Sequence, residues 1–209
     1  MTQLPFKLRA SLLGLALATA SIAAHASLIT YEVRTLTNAS FGDYRAGWSA
    51  QGSSIASTTP GNFSGLTGAN NSYDHLRVNF NLGSAFAGST MAFQLAPDAG
   101  YGGALYFDGV LLNTNATDLW WGGNWNALSE LLQGSVSNLS AGNHTLDAYW
   151  AEGCCNGGQA GRFSVNGGAW QNLSVANLDR LAVPEPGSLA LLGLGMIGLM
   201  AGRRSRRAG

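Results

Sequence analysis

Two short segments of this sequence hold residue types that could bind a ligand or undergo redox chemistry. The first, Asp118-Leu-Trp-Trp-Gly-Gly-Asn-Trp125, places three tryptophans among glycines in a turn-rich region. Exposed indoles can stack on the apolar face of a sugar ring while neighbouring polar groups hold its hydroxyls. We therefore expect a glycan-binding surface here. Its candidate residues are Asp118, Trp120, Trp121, Asn124 and Trp125. The alternative is that Trp120 or Trp121 plugs one end of the fold.

The second segment contains the adjacent residues Cys154 and Cys155. In an oxidising compartment two cysteines are expected to bond, and adjacent cysteines close a strained eight-membered ring. We expect a vicinal disulfide that stiffens a loop, either as a structural staple or as part of a ligand rim. A pair of thiols and bridges to another chain are the alternatives. Zinc is not expected, because two adjacent thiolates cannot easily face one ion.

Signatures of catalysis and of cofactor binding are missing from the sequence. It contains no Gly-x-Ser-x-Gly elbow, no His-Glu-x-x-His and no phosphate-binding loop, so we expect a protein that is not an enzyme. A glycosidase carboxylate pair is defined by spatial separation, so a glycan hydrolase stays open as an alternative. No cofactor is expected. Oxygen donors close to the tryptophans could hold calcium, although their spacing is unlike an EF-hand; they are Asp108, Asn113, Asn115 and Asp118.

Alternating apolar residues predict that short strands position these segments. In His75–Leu82 the residues Leu76, Val78, Phe80 and Leu82 share one face, as in a half-buried strand. Asp108-Gly109 favours a type I′ hairpin turn. Further strands are expected at 28–36, 91–95, 104–107, 110–112, 145–150, 162–165 and 171–175, and one short helix at 126–132. This pattern predicts an all-β fold, an antiparallel β-sandwich or jelly roll.

The N-terminus has the layout of a secretory signal peptide, residues 1–26. Lys7 and Arg9 precede a short apolar stretch, and Ala24-His25-Ala26 offers small residues that suit signal peptidase, so cleavage is expected before Ser27. A short transmembrane helix is the alternative, but the apolar run is well below the roughly 20 residues that a bilayer requires.

The C-terminus combines Val183-Pro184-Glu185-Pro186, an uncharged stretch and a final arginine cluster formed by Arg203, Arg204, Arg206 and Arg207. The stretch predicts a transmembrane helix at about 187–203, with the arginines on the cytoplasmic side. These three parts, in residues 183–207, resemble the PEP-CTERM sorting signal. The resemblance implies that an exosortase reads the signal and cuts near Pro-Glu-Pro. Cys154-Cys-Asn-Gly157 also resembles a small PEP-CTERM group marked by Cys-Cys-x-Gly.

Three parts of the body resemble protective-antigen-type jelly-roll domains, many of which bind sugars. They are Gly103-Ala-Leu-Tyr-Phe-Asp-Gly109, Leu139-Ser-Ala-Gly-Asn-His144 and the strand ending in Tyr149-Trp150. The resemblance implies that the first is a strand and turn displaying an acidic residue and that the second leads into a core strand. The paired Asp-Asp calcium site of the sugar-binding members has no counterpart in this sequence.

Removing both ends leaves residues 27–182, a length that suits one β-sandwich domain. This body contains five arginines, no lysine and ten carboxylates, so its net charge is near −5 and nucleic-acid binding is not expected. We expect an exported protein, anchored in the membrane by its C-terminal helix until processing and then found at the cell surface or in the extracellular matrix. The expected partners are signal peptidase, exosortase, the membrane and extracellular polysaccharide. A purely structural matrix protein without a ligand pocket is the alternative.

Overall fold

Strands with alternating apolar side chains build the computed structural model, which describes residues 26–38, 41–155 and 157–182. In chain order the strands are β1 (Leu28–Thr35), β2 (Ser54–Thr58), β3 (Ser64–Leu66), β4 (Ser72–Leu82), β5 (Met91–Ala96), β6 (Asp98–Ala99), β7 (Gly103–Phe107), β8 (Val110–Asn115), β9 (Leu119–Trp120), β10 (Leu132–Val136), β11 (Gly142–Glu152), β12 (Gln159–Val165) and β13 (Gln171–Asn172). The helices are α1 (Tyr44–Ser49) and α2 (Val175–Ala182), with 3₁₀ turns at Ser84–Phe86 and Leu128–Glu130.

The strands form two main antiparallel sheets and one small ladder. The six-stranded sheet has the order β2-β1-β4-β11-β7-β8, and the second sheet has the order β10-β5-β12-β13, with β3 paired to β12. β6 and β9 form a separate two-stranded ladder. The predicted all-β, antiparallel fold is therefore confirmed.

The core lies between the two main sheets. The predicted inward face of β4 is buried, with Leu76, Val78, Phe80 and Leu82 no more than 3% exposed. These side chains belong to one hydrophobic cluster with Met91, Phe93, Leu95 and Phe163 of β5 and β12. The predicted turn at Asp108-Gly109 is also confirmed, since both residues have the positive φ that a type I′ turn requires (46° and 81°).

Helix α1 covers part of the outer face of the six-stranded sheet. Asp43 caps its N-terminus by accepting hydrogen bonds from the amides of Arg45 and Ala46. Tyr44 and Trp48 pack there with tyrosines of the neighbouring strands in a second, smaller hydrophobic cluster. That face of the sheet is therefore largely filled by the protein's own aromatic residues.

Two predicted elements differ from the structure. The helix expected at 126–132 is wrong, because only a 3₁₀ turn forms at Leu128–Glu130, and Leu132 is pulled into β10 by its pairing with Leu95. The strand expected at 171–175 is limited to Gln171–Asn172. Chain direction changes there because α2 begins at Val175 and buries Leu178 and Leu181 in the core.

Candidate functional site

The tryptophan segment, residues 118–125, is held by a short strand that exposes one indole. Leu119 is fully buried, so the alternation of β9 turns the next side chain outward, and Trp120 is 71% exposed. Asp98 lies opposite Trp120 in the β6–β9 ladder. The carboxylate of Glu130 accepts a hydrogen bond from the Trp120 amide at 2.8 Å. An anchored backbone thus presents a large apolar ring to solvent.

The other predicted residues of the segment have different environments. Trp121 and Trp125 are partly buried, and their ring centroids are 4.8 Å apart. Asp118 and Asn124 are exposed, but the Asn124 side chain already accepts a hydrogen bond from the Asn126 amide at 3.0 Å. The segment therefore offers one free indole, one packed indole pair and one free carboxylate.

An arginine that sequence reasoning did not select extends this surface. The guanidinium carbon of Arg162 lies 4.4 Å from the ring centroid of Trp125 and 4.5 Å from that of Trp170. Its Nε donates to Oε1 of Gln94 at 2.8 Å, and Gln94 in turn donates to Gln133 at 3.1 Å. Partial burial lowers the pKa of Arg162 from its ordinary value. We call Trp125, Arg162 and Trp170 the arginine clamp.

The only signal in the sequence for the clamp is alternation along β12. Phe163 is fully buried between the sheets, so Arg162 must point to the outer face of the second sheet. Trp170 reaches it from the loop that follows β12, and Trp125 from a loop that is distant in sequence. The contact with Trp125 depends on tertiary structure, so no local sequence motif indicates it.

The cysteine loop follows the end of β11. Glu152 is buried and accepts hydrogen bonds from the amides of Gly100 and Cys154, both at 2.7 Å. Both cysteines are exposed, and their Sγ atoms lie 2.8 Å apart as free thiols. Cys155 has a positive φ of 66°, as expected in a tight turn. A disulfide between Cys154 and Cys155 stays a prediction.

Asp98 connects the cysteine loop with the tryptophan segment. Besides pairing with Trp120, it accepts a short hydrogen bond from the Gly157 amide. A Cβ at Gly157 would lie 2.9 Å from Asp98 Oδ2, so glycine permits this close approach. Burial raises the pKa of Asp98, the Gly157 amide opposes that change, and the charges of Glu152 and Asp118 raise it further. The two segments singled out in the sequence therefore meet at one buried carboxylate.

The six-stranded sheet carries two buried polar groups of its own. Asp74 accepts hydrogen bonds from the hydroxyls of Tyr31 and Ser72, and burial raises its pKa to about 6. Asp147 accepts from Nε2 of His75 and from Nε of Arg77, both at 2.8 Å. Burial alone would raise the pKa of Asp147, but these two partners outweigh burial and lower it. Both carboxylates are occupied by neighbours within the chain.

The suggested calcium donors do not converge. Asp108 accepts from His144 Nδ1 at 2.7 Å and from the Thr145 amide at 2.8 Å, and Asn115 caps its own turn at Thr117. Within residues 26–38, 41–155 and 157–182, no three His, Cys, Asp or Glu side chains are grouped so as to hold a metal ion. An apolar cavity of about 250 Å³ lies beside β1 and β2, and no predicted site residue lines it.

Most residues of the two predicted processing signals lie outside the described residues. These include Ala24 and the sorting residues Val183, Pro184, Glu185, Pro186, Arg203, Arg204, Arg206 and Arg207. The predicted cleavage junction is described: Ala26 is exposed, and the buried Ser27 donates its amide to Oδ1 of Asp179 at 2.7 Å. None of the helices that the structure describes has the length and apolar character needed to cross a bilayer.

Comparison with known families identifies the C-terminal segment. Residues 182–207 match the PEP-CTERM protein-sorting motif. The resemblance inferred from Pro-Glu-Pro, the uncharged stretch and the terminal arginines is thus confirmed. The chain is an exported protein that is sorted through this tail by an exosortase.

Solved structures identify the fold of the body. A PA14 domain of the MpAFP antifreeze protein has a TM-score of 0.51 and 15% identity, with 73% of this chain and 89% of that chain covered. A PA14 sugar-binding domain from an RTX adhesin has a TM-score of 0.49 and 14% identity, covering 73% and 97%. An epithelial adhesin 9 A domain from Candida glabrata has a TM-score of 0.49 and 10% identity, covering 71% and 88%. No curated protein matches this chain in sequence. The first likeness shows a PA14-like fold, while the jelly-roll connectivity and the Cys-Cys-x-Gly grouping stay predictions.

Proposed function

We propose that this PEP-CTERM-sorted protein is a non-enzymatic component of the cell surface or extracellular matrix that binds extracellular polysaccharide through its tryptophan segment. The observation that carries the proposal is the exposure of Trp120 on an anchored strand beside acidic side chains. An indole face held in place loses little entropy when a sugar ring stacks on it. Asp98 lies beneath the surface and Asp118 at its edge, and the latter can accept hydrogen bonds from sugar hydroxyls.

Processing at both ends belongs to the same proposal. Signal peptidase releases the chain at Ser27, residues 27–182 fold as one β-sandwich domain, and a C-terminal helix at about 187–203 holds the protein in the membrane until exosortase acts. The Ser27 amide already lies next to a carboxylate, so the new N-terminal ammonium would find a counter-ion at Asp179.

The carboxylates support a binding role over hydrolysis. A glycosidase needs two carboxyl groups that face a sugar across an open cleft. Asp74 and Glu152 are instead buried, and each accepts hydrogen bonds from its own chain. A purely structural matrix protein is the second candidate, and the packing of Trp121 against Trp125 favours it, because packed indoles present less area to a ligand.

The test is a binding titration of the exported protein with exopolysaccharide isolated from the producing cells. Trp120→Ala should lower the affinity about tenfold, because stacking aromatics act as binding hot spots. Val110→Ala is the matched control, since Val110 is a similarly exposed apolar residue (66%) on β8 of the six-stranded sheet. If the wild-type protein shows no binding with or without calcium, the proposal is wrong and the structural role takes its place.

A further inference from the structure

Arg162 carries a positive charge that no carboxylate neutralises within the described part of the chain. The ion pairs there involve His75, Arg77 and His144, and none involves Arg162. The body around it has a net charge near −5. Arg34, Arg45 and Arg180 take part in none of these ion pairs either, so the position of Arg162 between two indoles is what distinguishes it. In an acidic domain, an arginine without a carboxylate partner is a cation available for an external anion.

The clamp fixes the orientation of this cation. A guanidinium is attracted to the face of an indole, and Arg162 lies against two of them, Trp125 and Trp170. Arginine has five N–H donors, and the one on Nε is used by Gln94 at 2.8 Å. The four N–H groups of the two terminal nitrogens have no hydrogen-bond partner among the described residues. The clamp therefore holds the guanidinium in place and leaves its strongest recognition edge free.

A carboxylate attached to a sugar ring fits this arrangement. Two parallel N–H···O bonds match a carboxylate to a guanidinium edge. Trp170 is 40% exposed, so the apolar face of the same sugar can stack on it. A densely charged polyanion such as nucleic acid suits the site less, because one cation would meet many charges beside a body that repels them.

We infer that Trp125, Arg162 and Trp170 bind a carboxylate-bearing sugar of an acidic exopolysaccharide. This inference rests on the proposed function and names its ligand class. Arg162 supplies the charge and the bidentate hydrogen bonds, and Trp170 supplies the stacking face. Gln94 holds the guanidinium plane, and Trp125 joins the clamp to the tryptophan segment through its packing with Trp121.

The experiment compares three polymers on the exported protein: a polyuronate, the same polymer after its carboxyl groups are reduced to alcohols, and a sulfated glycan. Arg162→Gln should weaken polyuronate binding about tenfold or more, the loss expected for charge-assisted hydrogen bonds. Binding of the carboxyl-reduced polymer should be the same for this variant and for the wild-type protein. The matched control is Arg45→Gln, because Arg45 also lies over an aromatic ring, that of Tyr106 at 4.0 Å, and its loss changes the net charge equally.

The outcomes separate the inference from the function on which it rests. If the wild-type protein binds the polyuronate and its reduced form equally well, the carboxylate site is wrong and polysaccharide binding stands. If it binds no polymer, both proposals fall. Equal binding of the sulfated glycan, lost in Arg162→Gln, would overturn the carboxylate assignment in favour of a general anion site.

A second variant covers the case in which Arg162→Gln does not fold. Arg162→Lys keeps the charge but loses the planar fork, so polyuronate affinity should fall less than in Arg162→Gln while the melting temperature stays close to that of the wild-type protein. Quenching of tryptophan fluorescence on addition of polyuronate, absent in the Trp170→Leu variant, would place the ligand at the clamp. Unchanged polyuronate affinity in Arg162→Lys and in Trp170→Leu would contradict it.

Discussion

Arg77 and Arg162 lie on the outer faces of the two main sheets, yet their surroundings differ completely. Arg77 is paired across the β4–β11 ladder with Asp147, whose carboxylate also accepts a hydrogen bond from Nε2 of His75. Arg162 has two indoles and an amide oxygen around it and no carboxylate among the described residues. The first charge is neutralised inside the protein, whereas the second is held in place and left open. A cation that is paired with a carboxylate of its own chain stabilises the fold, and a cation without such a partner can bind a ligand.

The same contrast applies to the aromatic residues on each side. Trp48 of α1, whose ring lies 4.0 Å from the guanidinium carbon of Arg34, is buried against the six-stranded sheet in the tyrosine-rich cluster. Trp120 is exposed on the β6–β9 ladder, and Trp170 is exposed in the loop between β12 and β13 of the second sheet. One outer face is covered by the protein itself and the other is left for solvent or a partner.

Removing Asp147, the carboxylate that pairs with Arg77, should lower the stability of the fold and leave polysaccharide binding unchanged. Asp147→Ala removes a carboxylate whose side chain is 8% exposed and leaves His75 and Arg77 without it. We expect a loss of about 3 kcal/mol in the free energy of unfolding, near the low end for a buried pair because Arg77 is half exposed. Urea denaturation gives the value.

The matching measurement is Arg162→Gln in the same denaturation series. It should change the free energy of unfolding by less than about 1 kcal/mol, since no buried charge is stranded. Polyuronate affinity should follow the reverse order, unchanged in Asp147→Ala and about tenfold or more weaker in Arg162→Gln. Equal destabilisation by the two variants would remove the distinction between the sheets.

The raised pKa of Asp74 in the six-stranded sheet predicts that the free energy of unfolding depends on pH. Its pKa in the folded state is raised from 3.8 to about 6, so folding favours the protonated form. The associated stability is present below the unfolded pKa and is lost as the pH rises through about 6, a change of about 2 to 3 kcal/mol. Asp74→Asn is neutral throughout, so its urea midpoints should lack this decline.

Asp147 provides the internal control, because its pKa is lowered. Its contribution is present above the unfolded pKa and is lost only at lower pH, outside the window of Asp74. An unaltered pH profile in Asp74→Asn would mean that the hydroxyls of Tyr31 and Ser72 stabilise the ionised carboxylate fully.

Sequence periodicity predicted the central strands because local alternation and burial agree there. Leu76, Val78, Phe80 and Leu82 alternate, and each faces the second sheet. Helix α1 escaped prediction because it is short and owes its stability to packing of Tyr44 and Trp48 on the sheet. Helix α2 was not predicted, although its buried residues Leu178, Leu181 and Ala182 follow the i, i+3, i+4 spacing of a helix.

The site was predicted in part for the same reason. The exposure of Trp120 follows from alternation along β9, because its neighbour Leu119 is buried. The sequence did not show which of the three tryptophans is exposed and which two pack against each other. Arg162 and Trp170 carry no local motif: Trp170 lies in the loop between β12 and β13, and Trp125 comes from a loop that is distant in sequence. Long-range contacts, such as that between Arg162 and Trp125, depend on the detailed tertiary structure. The sequence pattern predicts only the fold class.

The contact between Ser27 and Asp179 tests whether cleavage of the signal peptide creates a new ion pair in the processed chain. Asp179 lies 2.7 Å from the Ser27 nitrogen, which cleavage would convert from an amide to an ammonium. Asp179→Asn should cost about 1 kcal/mol in the processed protein and less in the unprocessed chain. Thermal melts of both forms measure the difference, with Asp118→Asn as the control of equal charge. An identical loss in the two forms would show that no new ion pair is created at Ser27.

The smallest effect on stability is expected from the cysteine loop, which joins the two regions through Glu152 and Asp98. A bond between Cys154 and Cys155 closes the shortest possible loop, so it should add at most about 1 kcal/mol. Its consequence should appear in binding instead, because a fixed loop holds the Gly157 amide on Asp98, the residue that pairs with Trp120.

Alkylation of the exported, denatured protein should give no adduct before reduction and two afterwards. The Cys154→Ser, Cys155→Ser double variant should keep its stability and bind polysaccharide more weakly. Two adducts without reductant would mean that the loop works as a dithiol, and the stiffening role of the disulfide would then be wrong.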